Sequence, residues 1–360
     1  MNIDFHYGYM YIVARLGGLG QADAATMSHA CQYIDDSTTN GILKFSQGQS
    51  FERFAAAHEI FDYSANADQG QDKVVWTPFH FLPGGHGQTI EDMAVCKKDS
   101  LIAQRMIEHT LKQCHDKADD PGEINNALHR LGVALHAYVD TWAHHEFSGF
   151  PSRRNDVSHL ESDDFDHDAW WQRLKDALAS SGVGIFSRLG HGAALHFPDW
   201  PWARWHYVDG NGKTVHRDNL PEFVEAANSA CKVVQAFVHG SSQPSGQSGL
   251  TEDAKAVLRQ LMETNRDENE AERLDVVMRS VAAGHIPGLP AEQMPSYVAK
   301  GHGSWKHIAT GIDQVDDGGT LPSWSPAFEA SDYRKFHDAV KEHRFYVIGT
   351  LLPRHGIRLV

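Results

Sequence analysis

The segment that most constrains the fold is 128–144, LHRLGVALHAYVDTWAH. If it forms a helix, almost every face of that helix is apolar. A helix turns by about 100° per residue, so a step of four residues drifts by only about 40°. His136, Asp140 and His144 follow one another at such steps and therefore project from one face. The sequence predicts burial, since a helix that is apolar nearly all round lies in a core. Its apolar stripe consists of Leu128, Leu131, Leu135, Val139 and Trp142.

A carboxylate buried between two imidazoles needs compensation, because an unpaired buried charge is energetically costly. A divalent metal ion provides that compensation directly. The alternative is a hydrogen-bonded His–Asp–His row that only locks the helix into its neighbours. We favour the metal. His145 points away from this face and is interpreted as an outer partner of the site or as a solvent-exposed side chain.

Composition supports a metal-binding interpretation and argues against a nucleic-acid-binding one. The chain has 24 histidines against 32 lysines and arginines together, and histidine is the commonest metal ligand. The formal net charge is −15, and no basic block is present. Proteins that track nucleic acids normally show a basic surface, so a polyanionic partner is disfavoured.

The cysteine pattern and the first residues of the sequence are the features that predict the cellular compartment. The four cysteines are isolated, with no CxxC pair, which is typical of buried thiols in a reducing environment. The first residues carry no basic leader, and no apolar run reaches the roughly 20 residues that a membrane-spanning helix needs. Cytoplasmic localisation is the default expectation, with export by a signal-independent route left open.

The periodicity predicts an all-α fold: a multi-helix bundle with a metal cluster in its core and a few short strands. Strand alternation is strongest at 73–76 and 204–208, and DGNG at 209–212 is a candidate hairpin turn. Helical patterns cover 7–16, 21–34, 50–61, 98–118, 122–146, 167–181, 220–239, 251–264, 267–284 and 331–350.

The segment 240–250, GSSQPSGQSGL, lacks periodicity and is predicted to be a linker. It would separate a metal-binding helical catalytic domain, 1–239, from a mainly helical C-terminal extension, 251–360, packed on that domain. The loop 300–307, KGHGSWKH, is the one unusual feature of the extension.

One helix supplies only part of a coordination sphere, so further ligands must come from elsewhere. Asp35 and Asp36 close an apolar helix, where negative charge opposes the helix dipole and favours a cationic partner. A solvated or hydrogen-bonded structural role is the alternative for each candidate. A set without thiolates is typical of open, borderline-to-hard metal sites. The remaining candidates are His6, His58, His80, His191 and Asp199, with His196 less favoured beside His191.

The order of these residues resembles the zinc-dependent phospholipase C superfamily, which includes the fungal single-strand nucleases and the glycosylphosphatidylinositol-specific phospholipase D enzymes. The most specific match is ALHAYVDTWAH at 134–144. Over residues 1–310 the chain is also similar to an uncharacterised bacterial branch, through DFHY, QYIDD, PFHFLP, GHGAALHFPD and GSWKH. The resemblance implies an all-α fold whose ligands fall at His6, Asp35 or Asp36, His58 or His80, His136, Asp140, His144, His191 and Asp199.

The chain departs from that superfamily at three points. Characterised members use the amine of an N-terminal tryptophan as a ligand, whereas this sequence starts at Met1, so a third metal is expected to be absent or differently held. The histidine after HxxxD is His144, four residues beyond Asp140; position +6 is Glu146, and this spacing is similar to the phospholipase D branch. The carboxylate expected four residues after the distal histidine is replaced by Leu195.

The predicted function is phospholipase C-like hydrolysis of a phosphodiester by water activated on two or three zinc ions, or another divalent metal, bridged by Asp140. Asp36 or Asp35 is expected to orient the water or to ligate a metal. The expected substrate is a small phosphodiester or a phospholipid; nucleic acid is less favoured, and no oligomeric state is predicted.

Two other functions stay open at this point. The first is a single-strand nuclease-like phosphodiesterase. The second is a non-catalytic metal-binding scaffold or interaction protein, with 251–360 as the partner-binding part. The aromatic residues that would stack on bases in the first case, and that otherwise belong to the core, are Phe79, Phe81, Trp142, Trp200 and Trp202.

Overall fold

The structure is a computed structural model, and the chain within it is mostly helical with a few short strands, as the sequence predicts. The predicted helix at 167–181 lies outside the described residues. The structure describes residues 1–58, 69–116, 121–149, 151–162, 164, 190–314, 317 and 319–359.

The helices form in nearly all the segments where periodicity predicts them. Ser331 starts the last long helix as expected, because its side chain accepts a hydrogen bond from the backbone N–H of Arg334. Two π-helical turns adjoin the helices, Asp4–Tyr9 and Val347–Leu351. The α-helices are α1 (Met10–Leu16), α2 (Gln21–Asp36), α3 (Gln69–Phe79), α4 (Ile90–Met93), α5 (Leu101–Asp116), α6 (Pro121–Ala143), α7 (Asn219–Val238), α8 (Glu252–Thr264), α9 (Glu270–Ala282), α10 (Trp305–Thr310), α11 (Pro326–Glu329), α12 (Asp332–Tyr346) and α13 (Leu352–Arg354).

Helix α6 is the axis of the fold, and α2, α5, α7 and α12 pack around it. Residues 127–144 are all buried, which confirms the prediction from their apolar pattern. Gly132 allows α2 to approach α6 closely, because a Cβ atom there would lie 2.4 Å from the carbonyl oxygen of Met27. The same contact brings the last two turns of α2 against the His136–Asp140 face.

The N-terminal turn is buried as well, so it reaches the centre of the molecule. Asp4 is 1% exposed, and the Arg273 side chain of α9 donates a hydrogen bond to its carboxylate at 3.0 Å. Arg273 also lies over the ring of Trp202, with 5.3 Å between its Cζ atom and the ring centroid. An ion pair with almost no exposure therefore joins the first turn of the chain to α9.

In the described part of the chain, five short strands form two antiparallel sheets outside the helices. A hairpin pairs β1 (Gly41–Lys44) with β2 (Ser50–Arg53). In the second sheet, β4 (Arg204–Asp209) lies between β3 (Val157–Ser162) and β5 (Thr214–Asp218). The predicted strand at 204–208 and the turn at 209–212 are confirmed: the N–H of Gly212 donates to the carbonyl of Asp209 at 2.9 Å.

Two sequence-based assignments were wrong. The predicted helix at 50–61 begins as strand β2, because its residues pair with β1 in a hairpin instead of continuing a helical stripe; residues 59–61 lie outside the described part. The predicted strand at 73–76 lies inside α3, where Val75 packs as a buried helical residue. In both cases tertiary contacts override the local preference of a short segment.

The C-terminal elements share a core with the N-terminal ones. Phe5, Leu258 and Val277 belong to one cluster of buried apolar side chains. Within 240–250 the backbone of Gly249 is held by the Gln235 side chain of α7, at 2.8 and 3.1 Å. The domain boundary itself stays a prediction. In the described part of the chain, none of the helices has the length and apolar character that crossing a membrane requires.

Candidate metal centre

Three groups of side chains each bring their potential ligand atoms within 4.8 Å of one another. They come from the N-terminal turn, α2, the end of α3, α6 and the turns around 191–199, so their members are far apart in sequence. The sequence predicted all but one of them. The groups are the Asp35 group (Asp35, His80, His136), the Asp199 group (His144, His191, Asp199) and the Cys31 group (His6, Cys31, His136).

Asp140 lies between the groups and is 1% exposed at its side chain. Its Oδ1 atom is 3.1 Å from Nε2 of His6. Its Oδ2 atom is 3.3 Å from Nε2 of His136, 3.4 Å from Nδ1 of His80 and 3.5 Å from Nδ1 of His144. Among the described residues, Oδ2 makes no hydrogen bond of good geometry. A single carboxylate therefore faces all three groups and could act as a ligand beside each of them.

His136 and His80 present lone pairs to each other. Nδ1 of His136 lies 2.8 Å from the carbonyl oxygen of Cys31, and Nε2 of His80 lies 3.0 Å from that of Ala56. A carbonyl only accepts, so these nitrogens carry the hydrogens, and in neutral rings the other nitrogens carry lone pairs. Those nitrogens, Nε2 of His136 and Nδ1 of His80, are 3.2 Å apart. Only a cation between them, a proton or a metal ion, satisfies both.

The Asp199 group is oriented in the same way. Nδ1 of His144 donates to the carbonyl of His80 at 2.8 Å, which turns Nε2 toward Oδ1 of Asp199 at 3.2 Å. Nδ1 of His191 donates to the carbonyl of Leu195 at 3.0 Å, and its Nε2 lies 3.5 Å from Oδ2 of Asp199. Metal-binding histidines commonly anchor their second nitrogen to a carbonyl or carboxylate.

Burial sets the protonation of the centre. It lowers the pKa of His6 and of His191 to about 4 and that of His136 well below its usual range. Burial alone would raise the pKa of Asp140, but the nearby ammonium of the first residue and the surrounding imidazoles hold it well below its usual range. Neutral imidazoles beside an ionised carboxylate are the forms that bind metal ions.

The amine of Met1 lies inside the centre. It is 2.9 Å from Oδ1 of Asp140, 3.1 Å from Oδ1 of Asp199 and 3.5 Å from Nε2 of His144. Burial would lower the pKa of this amine, but Asp140 and Asp199 outweigh that effect and raise it to about 11. Sequence patterns of histidine and carboxylate side chains do not reveal this nitrogen. The one signal was that Met1 stands where the superfamily that the sequence resembles is expected to have an N-terminal tryptophan.

Cys31 is the second group that the sequence analysis missed. Its Sγ atom lies 3.6 Å from Nδ1 of His6, and the rings of His6 and His136 stack at 3.9 Å. Spacing gave no hint of it, because Cys31 occupies a core position of α2 and has no CxxC partner. The structure therefore brings a thiol beside two predicted ligands, His6 and His136, that the expected histidine and aspartate set did not include.

Two predicted ligands lie outside the three groups. Oδ2 of Asp36 accepts from the hydroxyl of Tyr297 at 2.6 Å and from the side chain of Gln32 at 3.2 Å. His58 is buried with its ring 6.2 Å from that of Trp76. His80, the alternative to His58, is the member of the Asp35 group.

Two further histidines considered in the sequence analysis, His145 and His196, also lie outside the three groups. His196 is exposed, with its ring 6.0 Å from that of Trp200. His145 contacts Glu222 at 3.0 Å, and Arg217 joins Glu222 to the carbonyls of Trp142 and Ala143. That network holds the C-terminal end of α6, from which His144 follows.

Comparison with known proteins gives a family without an assigned activity. The model of a family of unknown function, DUF6765, matches residues 1–351. No curated protein matches this chain, and no solved structure does.

Proposed function

Since the chain belongs to DUF6765, a family of unknown function, we propose its function from the site itself: zinc-dependent hydrolysis of a phosphodiester. The proposal of bound metal rests on one observation. Two nitrogens with lone pairs, one on His136 and one on His80, face each other 3.2 Å apart beside two carboxylates. A proton could satisfy that pair, but three converging groups and an unpartnered Asp140 Oδ2 atom favour metal ions. We assign the fold to the phospholipase C-like helical class on the order of the ligands.

The donor chemistry fits zinc. Imidazoles, carboxylates and one thiol form a borderline set, and catalytic zinc sites take three protein ligands and keep one position open. The Asp35 and Asp199 groups each offer two imidazoles and one carboxylate. We propose that each of these groups would hold one zinc ion, with Asp140 as a further ligand beside both, and that a third ion would be held by His6 with Asp140 and Cys31.

Zinc supplies two things to phosphodiester hydrolysis, a water whose pKa is lowered toward neutrality and a positive charge for the phosphoryl oxygens. The protein's own side chains contact the substrate, accept the proton and hold the site together. Asp35 is 32% exposed, so it is the ligand that meets solvent and substrate. We propose that its carboxylate accepts the proton of an attacking water. Asp140, 1% exposed, is shielded from solvent and holds the site together.

The substrate we propose is a small phosphodiester or a phospholipid headgroup. The net charge of −15 disfavours a polyanion such as a nucleic acid. The aromatic side chains that a nuclease would use as stacking platforms are at most 4% exposed: Phe79, Phe81, Trp142, Trp200 and Trp202. Four buried free cysteines support our assignment to a reducing, cytoplasmic compartment.

The test is metal content followed by turnover. We expect about two zinc ions or more per chain by plasma mass spectrometry, and hydrolysis of bis-p-nitrophenyl phosphate. Asp140→Asn and His136→Ala should lower turnover about a hundredfold or more, because each removes a ligand. His196→Ala is the matched control: this histidine lies between His191 and Asp199 in the sequence but is exposed, so zinc content and turnover should stay at the wild-type level.

Three outcomes separate the alternatives. Less than one ion per chain defeats every metal-based function. Bound metal without turnover of any diester makes the protein a metal-binding scaffold. Hydrolysis of single-stranded DNA in preference to phosphatidylcholine and soluble diesters replaces the phospholipase-like function with a nuclease.

A further inference from the structure

A buried arginine lies against the end of α6, and the proposed function assigns it no role. Arg217 is on β5 and is 3% exposed, with its Cζ atom 5.4 Å from the centroid of the Trp205 ring. Its side chain points inward, like those of Val215 and Trp205, which are at most 8% exposed. A guanidinium group is therefore buried beside the last turn of the helix that carries Asp140.

Arg217 contacts main-chain carbonyls on both sides of His144. Its Nη2 atom donates to the carbonyls of Trp142 and Ala143 at 3.1 and 3.0 Å, and its Nη1 atom donates to that of His145 at 3.3 Å. The last carbonyls of a helix have no partner within the helix, and the helix dipole favours a cation there. Arg217 therefore fixes the backbone from 142 to 145, with His144 in the middle.

A carboxylate of α7 keeps the guanidinium group in this orientation. Oε2 of Glu222 accepts a hydrogen bond from Nη2 of Arg217 at 3.1 Å, and both carboxylate oxygens of Glu222 lie 3.0 Å from Nε2 of His145. Glu222 is in the first turn of α7, where the helix dipole stabilises a negative charge. The end of α6, the strand β5 and the start of α7 therefore meet at one ion pair.

The position of His144 depends on that backbone. Its Nδ1 atom donates to the carbonyl of His80 at 2.8 Å, and its Nε2 atom faces Oδ1 of Asp199 at 3.2 Å. Metal–ligand distances vary by only about 0.2 Å, so a small shift of the backbone at 144 would spoil the ligand geometry of the Asp199 group. The Asp35 group takes its ligand from α6 at His136, before the turn that Arg217 holds.

We propose that Arg217 is a positioning residue of the Asp199 group: by holding the carbonyls around His144, it sets the affinity of that group for its metal ion. The inference rests on the metal binding of the proposed function and not on its reaction or substrate. A guanidinium group presents five N–H donors in a fixed planar fork, whereas the ammonium group of lysine is a compact point charge. Lysine at position 217 keeps the charge at the end of α6 but loses the set of contacts that fixes His144.

Competition for zinc measures the affinity of each bound ion. The zinc-loaded protein is titrated with a chromophoric chelator. We expect Arg217→Lys to weaken the binding of one ion per chain about tenfold or more, as loss of a group that orients a metal ligand commonly does, and to change the binding of the others less than about twofold. Glu222→Gln removes the charge that orients Arg217 and should have the same effect to a smaller extent.

Arg130→Met is the matched control for a loss of stability alone. Arg130 is an arginine of α6 that is 5% exposed, and it pairs with Glu342 at 2.6 Å. We expect this variant to have a lower melting temperature and wild-type affinity for every ion, because Arg130 lies in the half of α6 that precedes the metal ligands.

Cobalt(II) in place of zinc gives a second readout, since its visible absorption reports the number and geometry of its ligands. A purely structural role of Arg217 would lower the melting temperature and leave the spectrum of the fully loaded protein unchanged. We expect Arg217→Lys to alter the absorption of about one ion per chain, whereas Arg130→Met should keep the wild-type spectrum.

The inference is overturned if the wild type binds metal and the variants at Arg217 and Glu222 keep its affinities and its cobalt spectrum, or if they weaken every ion equally. Metal binding by the wild type without turnover of bis-p-nitrophenyl phosphate removes the proposed hydrolysis and leaves the inference standing. A wild-type chain that binds less than one ion removes both.

Discussion

Several histidines lie in the core away from the metal centre, and each is held neutral by burial. His343 donates from Nε2 to the carbonyl of Pro78 at 2.9 Å, and burial lowers its pKa to about 4. Burial lowers the pKa of His29 and of His337 to about 3. Between the pKa of an ordinary histidine, about 6.5, and these values, the unfolded chain binds protons that the native chain does not.

The free energy of unfolding should therefore fall as the pH is lowered from about 6.5 toward 4, by about 1.4 kcal/mol per pH unit for each such histidine. Urea titrations of metal-free protein at four pH values between 7.5 and 4.5 measure the slope. His343→Gln keeps a donor for the Pro78 carbonyl and should reduce the slope by about one proton. A slope identical to that of the wild type would show that His343 is not buried in its neutral form.

At the residue scale, the sequence predicts candidate ligands that share one helix better than it predicts which distant residues join them. The i, i+4, i+8 row on α6 identified His136, Asp140 and His144, because helical spacing is local. His6 reaches the same centre from 130 residues away in sequence, which no spacing rule encodes. Cys31 looked like an ordinary core thiol, and the Met1 nitrogen belongs to the backbone and has no side-chain pattern at all.

At the scale of elements, the contact of α2 with α6 positions much of the metal centre. Gly132 lies where the two helices are closest, and the carbonyl of Cys31 that orients His136 lies on the facing side of α2. Periodicity predicted both helices, since long amphipathic or apolar patterns are robust. It failed for the predicted helix at 50–61, whose described residues 50–58 are not helical, and for the predicted strand at 73–76, which lies in a helix; at both places tertiary contacts decide.

Gly132→Ala should push α2 away from α6, because the added Cβ atom would lie 2.4 Å from the carbonyl oxygen of Met27. We expect a loss of about 1–3 kcal/mol in the free energy of unfolding, together with weaker zinc binding. Denaturant titration and competition with a zinc chelator measure the two effects. Gly349→Ala, whose new Cβ would meet none of the described residues within 4 Å beyond its own turn, is the control and should lower neither stability nor zinc affinity. Wild-type stability and zinc affinity in Gly132→Ala would refute the close contact.

At the scale of the whole molecule, the Asp4–Arg273 pair joins the first turn of the chain to the region after 250. Both side chains are at most 2% exposed, and shared apolar side chains surround them. The linker-like composition of 240–250 predicted a boundary between a catalytic domain and a helical extension packed on it. Composition reports local flexibility and not which surfaces pack together, and in the structure buried apolar side chains from both sides of this segment share one cluster.

Arg273→Met should lower the free energy of unfolding by about 3–5 kcal/mol, because it leaves Asp4 as an unpaired buried carboxylate. Calorimetry should still show a single unfolding transition, since we expect the residues before and after the segment 240–250 to unfold together. Arg279→Met on the same helix breaks an exposed pair with Asp275 and should cost about 1 kcal/mol or less. Two separate transitions in the wild type would instead establish independent domains.

The carbonyl anchors of His80, His136, His144 and His191 have a kinetic consequence. Each ring is tethered at the nitrogen that faces away from the centre, so no single imidazole swings aside by rotamer exchange alone. For the metal ions that we propose, we therefore expect release to require local opening of the backbone, and a residence time longer than the lifetime of a side-chain rotamer.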